Sequence, residues 1–227
     1  MIVSVHQPQY LPWLGYFHKI CQSDIFVFLD NVQYKHREYQ NRNRIRTSNG
    51  WMWLTVPIIK GHAYPNISEV YIDNSQGWSR KHWRAITLNY AQASFFNTYK
   101  SFFNDLYGMQ WERLIDLNIY IIKKINEFLG ITKKIYFESE LNIKTINTQR
   151  IIDICKTLKA DTYLSGSGGK NYLNEELFRS NNIKLVYQDF RHPEYAQRYQ
   201  GFVPFMSAID LLFNHGPDSL RILLSST

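Results

Sequence analysis

The first thirty residues constrain this chain more than any other stretch. Ile2 to Val5 is a short apolar run that breaks at His6-Gln7-Pro8 and turns through Gln9 to Pro12. A helical pattern follows from Trp13 to Cys21, then a second apolar run from Ile25 to Leu29, closed by Asp30. The order reads strand, loop, helix, strand. Two parallel strands joined by a crossover helix are the unit of an α/β sheet, and ligands of such sheets bind beyond the carboxyl ends of the strands. His6, Gln7 and Asp30 all fall at such ends.

The second half of the chain repeats the alternation. Apolar runs over 134–138, 161–164 and 183–188 read as strands. Helical spacing marks 147–159, capped by Thr148, then 174–182 and 207–214, with one more turn over 219–224. Between the halves, Asn49-Gly50 is a turn signal that predicts a hairpin of 43–47 and 52–56. A loop over 60–66 leads to an alternating run, 67–72, read as a short strand. Three helices are expected next: 78–90 capped by Asn74 or Ser75, 95–107, and 111–129 closed by Gly130. The expected fold is one α/β domain over 1–227, with three layers and a mostly parallel sheet. Residues 78–130 form a helical insertion or lid. At 227 residues the chain is long enough to bury a substantial core.

Composition bears mainly on partners. A net charge of +7 favours an anionic partner, such as a nucleotide, nucleic acid or membrane surface. Only two cysteines occur, Cys21 and Cys155, both in apolar helical patterns, so buried free thiols in a cytoplasmic setting are expected rather than disulfides or a metal cluster. No basic leader precedes an apolar run at the start, and no stretch approaches the ~20 apolar residues of a membrane span. Residues point to no metal and name no cofactor; HExxH and GxSxG elements do not occur.

His6, directly after a strand, can act as a general base or hold an anion, with Gln7 and Tyr10 offering neutral hydrogen bonds beside it. Asp30 can hold a ribose or an amine, or bond backbone amides. The segment from Asn31 through Gln33, Tyr34, Asn41, Arg42 and Asn43 is almost wholly polar, and its arginine forks match phosphate geometry. Ser165-Gly166-Ser167-Gly-Gly-Lys170, followed by Tyr172, links a strand to a helix and could cradle an anion, although its glycine spacing is not that of a Walker loop. Lys81 and His82 begin a basic, aromatic helix suited to an acidic substrate or to nucleic acid, without any recognised nucleic-acid motif. His215-Gly216-Pro217 reads as a helix stop.

His6-Gln-Pro-Gln-Tyr-Leu-Pro-Trp13-Leu-Gly-Tyr-Phe17, Asp30-Asn-Val-Gln-Tyr34, Asn41-Arg-Asn43, Tyr163-Leu-Ser-Gly166 and Met206-Ser-Ala-Ile-Asp210 together resemble the WbqC-like protein family from end to end. The resemblance implies a bacterial, cytoplasmic protein of O-antigen or other surface-polysaccharide (lipopolysaccharide) biosynthesis. It also implies a transferase that passes an acyl or aminoacyl group to an amino sugar of a nucleotide-sugar. On that reading His6 is the base, Asp30 orients it or holds the acceptor, and Arg42 and Lys170 bind donor phosphates. The partner is an anionic small molecule, a nucleotide-sugar or acyl donor; the oligomeric state is not specified. Two alternatives stand beside it. One is a non-catalytic nucleotide- or RNA-binding protein. The other is a nucleotidyltransferase-like enzyme, because the opening unit is also similar to HxGH-type nucleotidyltransferases. Their two histidines would fall on Trp13 and Tyr16 and are missing here.

Overall fold

The computed structural model describes residues 1–59 and 65–225. In chain order the elements are β1 (Ile2–His6), α1 (Leu14–Cys21), β2 (Ile25–Phe28), β3 (Arg42–Thr47), β4 (Gly50–Thr55), α2 (Trp78–Tyr90), α3 (Phe96–Gly108) and α4 (Leu114–Leu129). They continue with β5 (Lys134–Phe137), α5 (Asn147–Thr157), β6 (Thr162–Ser165), α6 (Glu175–Ser180), β7 (Lys184–Tyr187), α7 (Ala208–His215) and α8 (Ser219–Leu224).

Five strands form one sheet in the order β5-β2-β1-β6-β7, every pair parallel. The chain builds outward from β1 to β2 and β5, then crosses to the other side of β1 for β6 and β7. The strand order therefore reverses between β1 and β6, and the crevice outside that point is where open α/β sheets bind ligands. The apolar runs in β1 and β2 follow from burial on both faces. Val3, Val5, Ile25 and Val27 pack with Ile151, Ile152, Ile154, Cys155 and Phe178 of α5 and α6. Phe26 and Phe28 face the larger core, shared with α1, α7 and the three helices of 78–130. The result is helix, sheet, helix in three layers, with a helical insertion, as the alternation of elements implied.

The hairpin stands apart as a two-stranded sheet, with Thr47 paired to Gly50 across Ser48-Asn49. Gly50 has φ +115°, which asks for glycine there. Cys21 and Cys155 are free thiols, pushed up by burial to about 11 and about 12.

Four local expectations give way. The run 67–72 is not a strand: Ile67–Glu69 is a single 3-10 turn, held by Glu69, whose carboxylate accepts from the Asn66 amide at 3.0 Å. The alternating apolar pattern was real, since Ile67, Val70 and Ile72 are buried, but a local cap outcompeted strand pairing. The third helix begins at Leu114 rather than at 111, because Arg113 bridges Tyr71 and the Leu114 amide goes to the Val70 carbonyl. Neither Asn74 nor Ser75 caps α2. Asn74 instead donates to the Trp111 carbonyl and accepts from the Trp78 indole, while Ser75 bonds Asp73. Thr148 does not cap α5; its hydroxyl accepts from the Asn174 amide at 3.1 Å and so ties α5 to the start of α6. The loop expected over 60–66 lies mostly outside the described residues. No helix among the described residues is long and apolar enough to cross a membrane.

Candidate active site

Carrying the strand registers forward by one or two residues puts three chain positions in a row at the carboxyl edge. Ser4 pairs with Leu164 and Ser165 with Tyr187, so His6, Gly166 and Gln188 come level at the ends of β1, β6 and β7. They form the floor of a crevice of about 290 Å³ whose other walls include Trp13, Tyr16, Lys19, Ser167, Asp189 and Phe190. This is the switch point that the strand order predicts.

His6 is partly buried, its ring 4.7 Å from that of Tyr16. Its Nδ1 lies 3.1 Å from the Gln7 carbonyl oxygen. A carbonyl only accepts, so Nδ1 carries the hydrogen and Nε2 keeps its lone pair when the ring is neutral. Burial, then the charge of Lys19, then opposed by the Gln7 bond, holds His6 well below the usual histidine range. At neutral pH it is therefore an uncharged base.

Lys19 is 3% exposed, and its Nζ donates to the Val5 carbonyl at 3.1 Å. Burial lowers it to about 7, so the amine is poised between its two forms at physiological pH. A Cβ at Gly166 would sit 3.9 Å from that Nζ, which sets the amine against the end of β6. Every residue of α1 from Leu14 to Ile20 is buried, Lys19 among them.

Glycines shape the walls. A Cβ at Gly15 would fall 2.3 Å from the Trp13 ring, so the indole lies directly over the first turn of α1, where it packs against Phe190 and Phe205. A Cβ at Gly169 would fall 2.0 Å from the Ser165 hydroxyl, so the small-residue turn closes around Ser165. Gln188 fixes the far wall, donating at 2.9 Å to the Gly15 carbonyl and lying 2.9 Å from Nδ1 of His18.

With this geometry in view, the comparisons decide the relationship. The model of the WbqC-like protein family matches residues 7–222. The chain belongs to that family. It is also 35% identical over 225 residues to an uncharacterized protein of Mycobacterium tuberculosis (strain H37Rv), covering 96% of this chain and 97% of that one. No solved structure matches.

Within this family member, the fold brings His6, Trp13, Gly166 and Ser167 into one crevice and disperses the other residues singled out in the sequence. Gln7 sits behind it, its Oε1 accepting from Gln40 at 2.5 Å. Asp30 is buried at the end of β2, its oxygens accepting from the Ser139 amide at 3.0 Å and hydroxyl at 2.6 Å, and it does not line the crevice. Tyr10 and His82 bond each other at 2.8 Å inside the helical body, where burial lowers His82 to about 4. Asn43 donates to the Leu11 carbonyl at 2.7 Å and holds the hairpin to the first loop. Asn31, Gln33 and Lys81 are exposed, and the Asn31 carbonyl accepts from Arg150. Lys170 lies over the Tyr187 ring, and Tyr172 is 72% exposed. Ser165 is buried, donating to the Gly166 carbonyl. Tyr34, Asn41 and Arg42 line a second cavity, at the hairpin.

Among the crevice residues that sequence reasoning passed over are Lys19, Gln188, Asp189 and Phe190. For Lys19 the signal was a cation inside a helix apolar on all sides. For the other three it was their place directly after a strand, the same criterion that picked out His6.

Proposed function

We propose that this protein is a cytoplasmic transferase of bacterial surface-polysaccharide biosynthesis. It joins an acyl or aminoacyl group to the amine of an amino sugar carried on a nucleotide. The observation that carries the reading is the pairing of an uncharged His6 and a near-neutral Lys19 in one crevice at the reversal of a parallel sheet. Perturbed bases gathered in a cleft are the mark of acid–base chemistry. The biosynthetic setting comes from the family resemblance.

In this scheme the carboxylate of Asp189 holds the sugar's amino group at the crevice mouth. The amine nitrogen attacks the donor's carbonyl carbon while His6 Nε2 takes the proton it sheds. The carbon–nitrogen bond forms, the negative charge on the carbonyl oxygen settles against Lys19, and that charge favours the ammonium form of the lysine. Collapse breaks the bond to the leaving oxygen or sulfur, which receives the proton from His6. Trp13, Tyr16 and Phe190 supply apolar walls that limit competing attack by water.

The test is amide formation, read by mass spectrometry, from nucleotide-linked amino sugars paired with acyl thioesters and aminoacyl donors. Loss of a general base costs about 10²–10⁴-fold in rate, so His6→Ala and Lys19→Met proteins that fold normally should lose turnover on that scale. Full turnover in His6→Ala would sink the base assignment.

A further inference from the structure

We infer that the open face of the β3–β4 hairpin is a second binding site, one that takes a nucleoside diphosphate. The phosphates would lie in the cavity at its Arg42–Thr55 end and the base along its tryptophans. The register sets Arg42 opposite Thr55, Arg44 opposite Trp53 and Arg46 opposite Trp51. Side chains of directly paired residues share a face, so Arg42 and Arg44 lie beside Trp53 and Trp51 there, while Arg46 at the turn end is buried, its guanidinium bonded to Gln197 and to the Thr47, Gly50 and Gln200 carbonyls. The Arg42 guanidinium lies 4.4 Å from the Trp53 ring centroid, and that of Arg44 lies 5.0 Å from Trp51 and 5.7 Å from Trp53. Trp51 is 44% exposed, which leaves ring surface for a ligand.

The cavity at the Arg42 end measures about 420 Å³. Tyr34, His36, Arg37, Asn41, Arg42 and Thr55 supply its polar lining, and among the described residues no carboxylate lines it. Arg42 donates to the Arg37 carbonyl, which folds the polar loop against the hairpin, and both residues line the one cavity. Nε of Arg42 and Nε of Arg44 are buried with no acceptor among the described residues. Arg42 and Arg37 line the cavity with permanently charged forks, and phosphate oxygens match the geometry of such forks. The adjacent rings suit a flat heterocycle, because every base has a π-face that stacks on indole. A strand advances about 7 Å in two residues, so a base on Trp53, whose ring centroid is 5.6 Å from that of Trp51, lies within a nucleotide's reach of the cavity. Among the described residues the site shares no lining residue with the crevice, and it stands whether or not the crevice transfers groups.

Titration calorimetry and tryptophan fluorescence of the whole protein with inorganic pyrophosphate, uridine diphosphate, uridine and a short single-stranded RNA test this. The diphosphate should bind and quench, pyrophosphate should bind without strong quenching, and uridine should bind least. Each lost charge-assisted hydrogen bond should weaken the diphosphate about tenfold or more in Arg42→Ala and in Arg37→Ala. Arg37 is exposed, so the second variant keeps the test meaningful if the first disturbs the hairpin. Trp51→Ala should weaken the diphosphate and leave pyrophosphate unchanged, and Lys19→Met should leave both unchanged. Three results overturn the inference. They are no binding of either phosphate at millimolar concentration, binding that survives both arginine variants but is lost in Lys19→Met, and RNA binding that exceeds the diphosphate and grows with strand length.

Discussion

Replacing Lys19 with methionine removes a charge while keeping most of the side chain's bulk, and its effect on stability has a calculable pH signature. Burial holds the folded amine at about 7 against an ordinary value of 10.5. Between those values the unfolded chain carries a proton that the folded chain has released, so stability rises with pH across the window. Below 7 both states are charged and the burial penalty is complete; above 10.5 both are neutral and it is gone. At about 1.4 kcal/mol per tenfold change in proton affinity, the window spans roughly 5 kcal/mol. Wild type and Lys19→Met should therefore be compared by urea unfolding at several pH values from 6.5 to 10.5. The variant's advantage should be largest at the acid end and shrink steadily as pH rises, by about 2 M in the urea midpoint at the ~2–3 kcal/mol per M of a chain this size. Loss of the bond to the Val5 carbonyl adds an offset that does not vary with pH, so the slope isolates the buried charge. Other groups that titrate in this range are common to both proteins and cancel. A difference that stays constant from pH 7 to 10 would mean that Lys19 is solvated, and the argument for its role in the crevice would fail with it.

Other outcomes follow from the same geometry. Since burial and Lys19 hold His6 well below 6.5, kcat/KM should show no acid limb near 6.5 and decline only at lower pH. A limb at 6.5 that disappears in His6→Asn would contradict this. Asp210 is fully buried and accepts from Tyr90 at 2.8 Å and from Tyr195 and Gln197 at 2.9 Å, so Asp210→Ala strands three donors. It should cost about 3–5 kcal/mol, read as a fall in the unfolding midpoint. Gly15→Ala puts a methyl group 2.3 Å from the Trp13 ring, and the indole must swing away. Crevice ligands should then weaken more than stability falls, which parallel binding and unfolding measurements on the variant would separate.

The fold was legible because parallel strands advertise themselves. Runs such as Ile2–Val5 and Ile25–Leu29 are buried on both faces and carry no polar alternation. The hairpin was legible too, because Asn49-Gly50 specifies its turn locally. Errors arose where a distant partner decided a local question. Val70 took the amide of Leu114 and shortened a helix, and Asn174 took the hydroxyl that was expected to cap α5. The candidate site was only half legible for the same kind of reason. His6, Trp13, Gly166 and Ser167 could be placed at strand ends from the pattern alone. Tyr10, His82 and Asn43 looked equally functional as polar residues in loops or on helix faces, yet their partners, Tyr107, Thr55 and Leu11, come from elsewhere in the chain and bury them.

By itself, then, the sequence determined the element types apart from the run at 67–72, the parallel sheet and the position of His6 at a strand end, all consequences of apolar periodicity and local turn chemistry. Tertiary structure alone decided which strand lies beside β1. Strand order is a property of how crossovers pack, and nothing in the composition of β6 distinguishes it from an edge strand. That choice brings Gly166 and Gln188 level with His6, encloses Lys19 and lowers its proton affinity. It leaves Asp30 bonded to Ser139 and Arg42 of β3 at a cavity of its own.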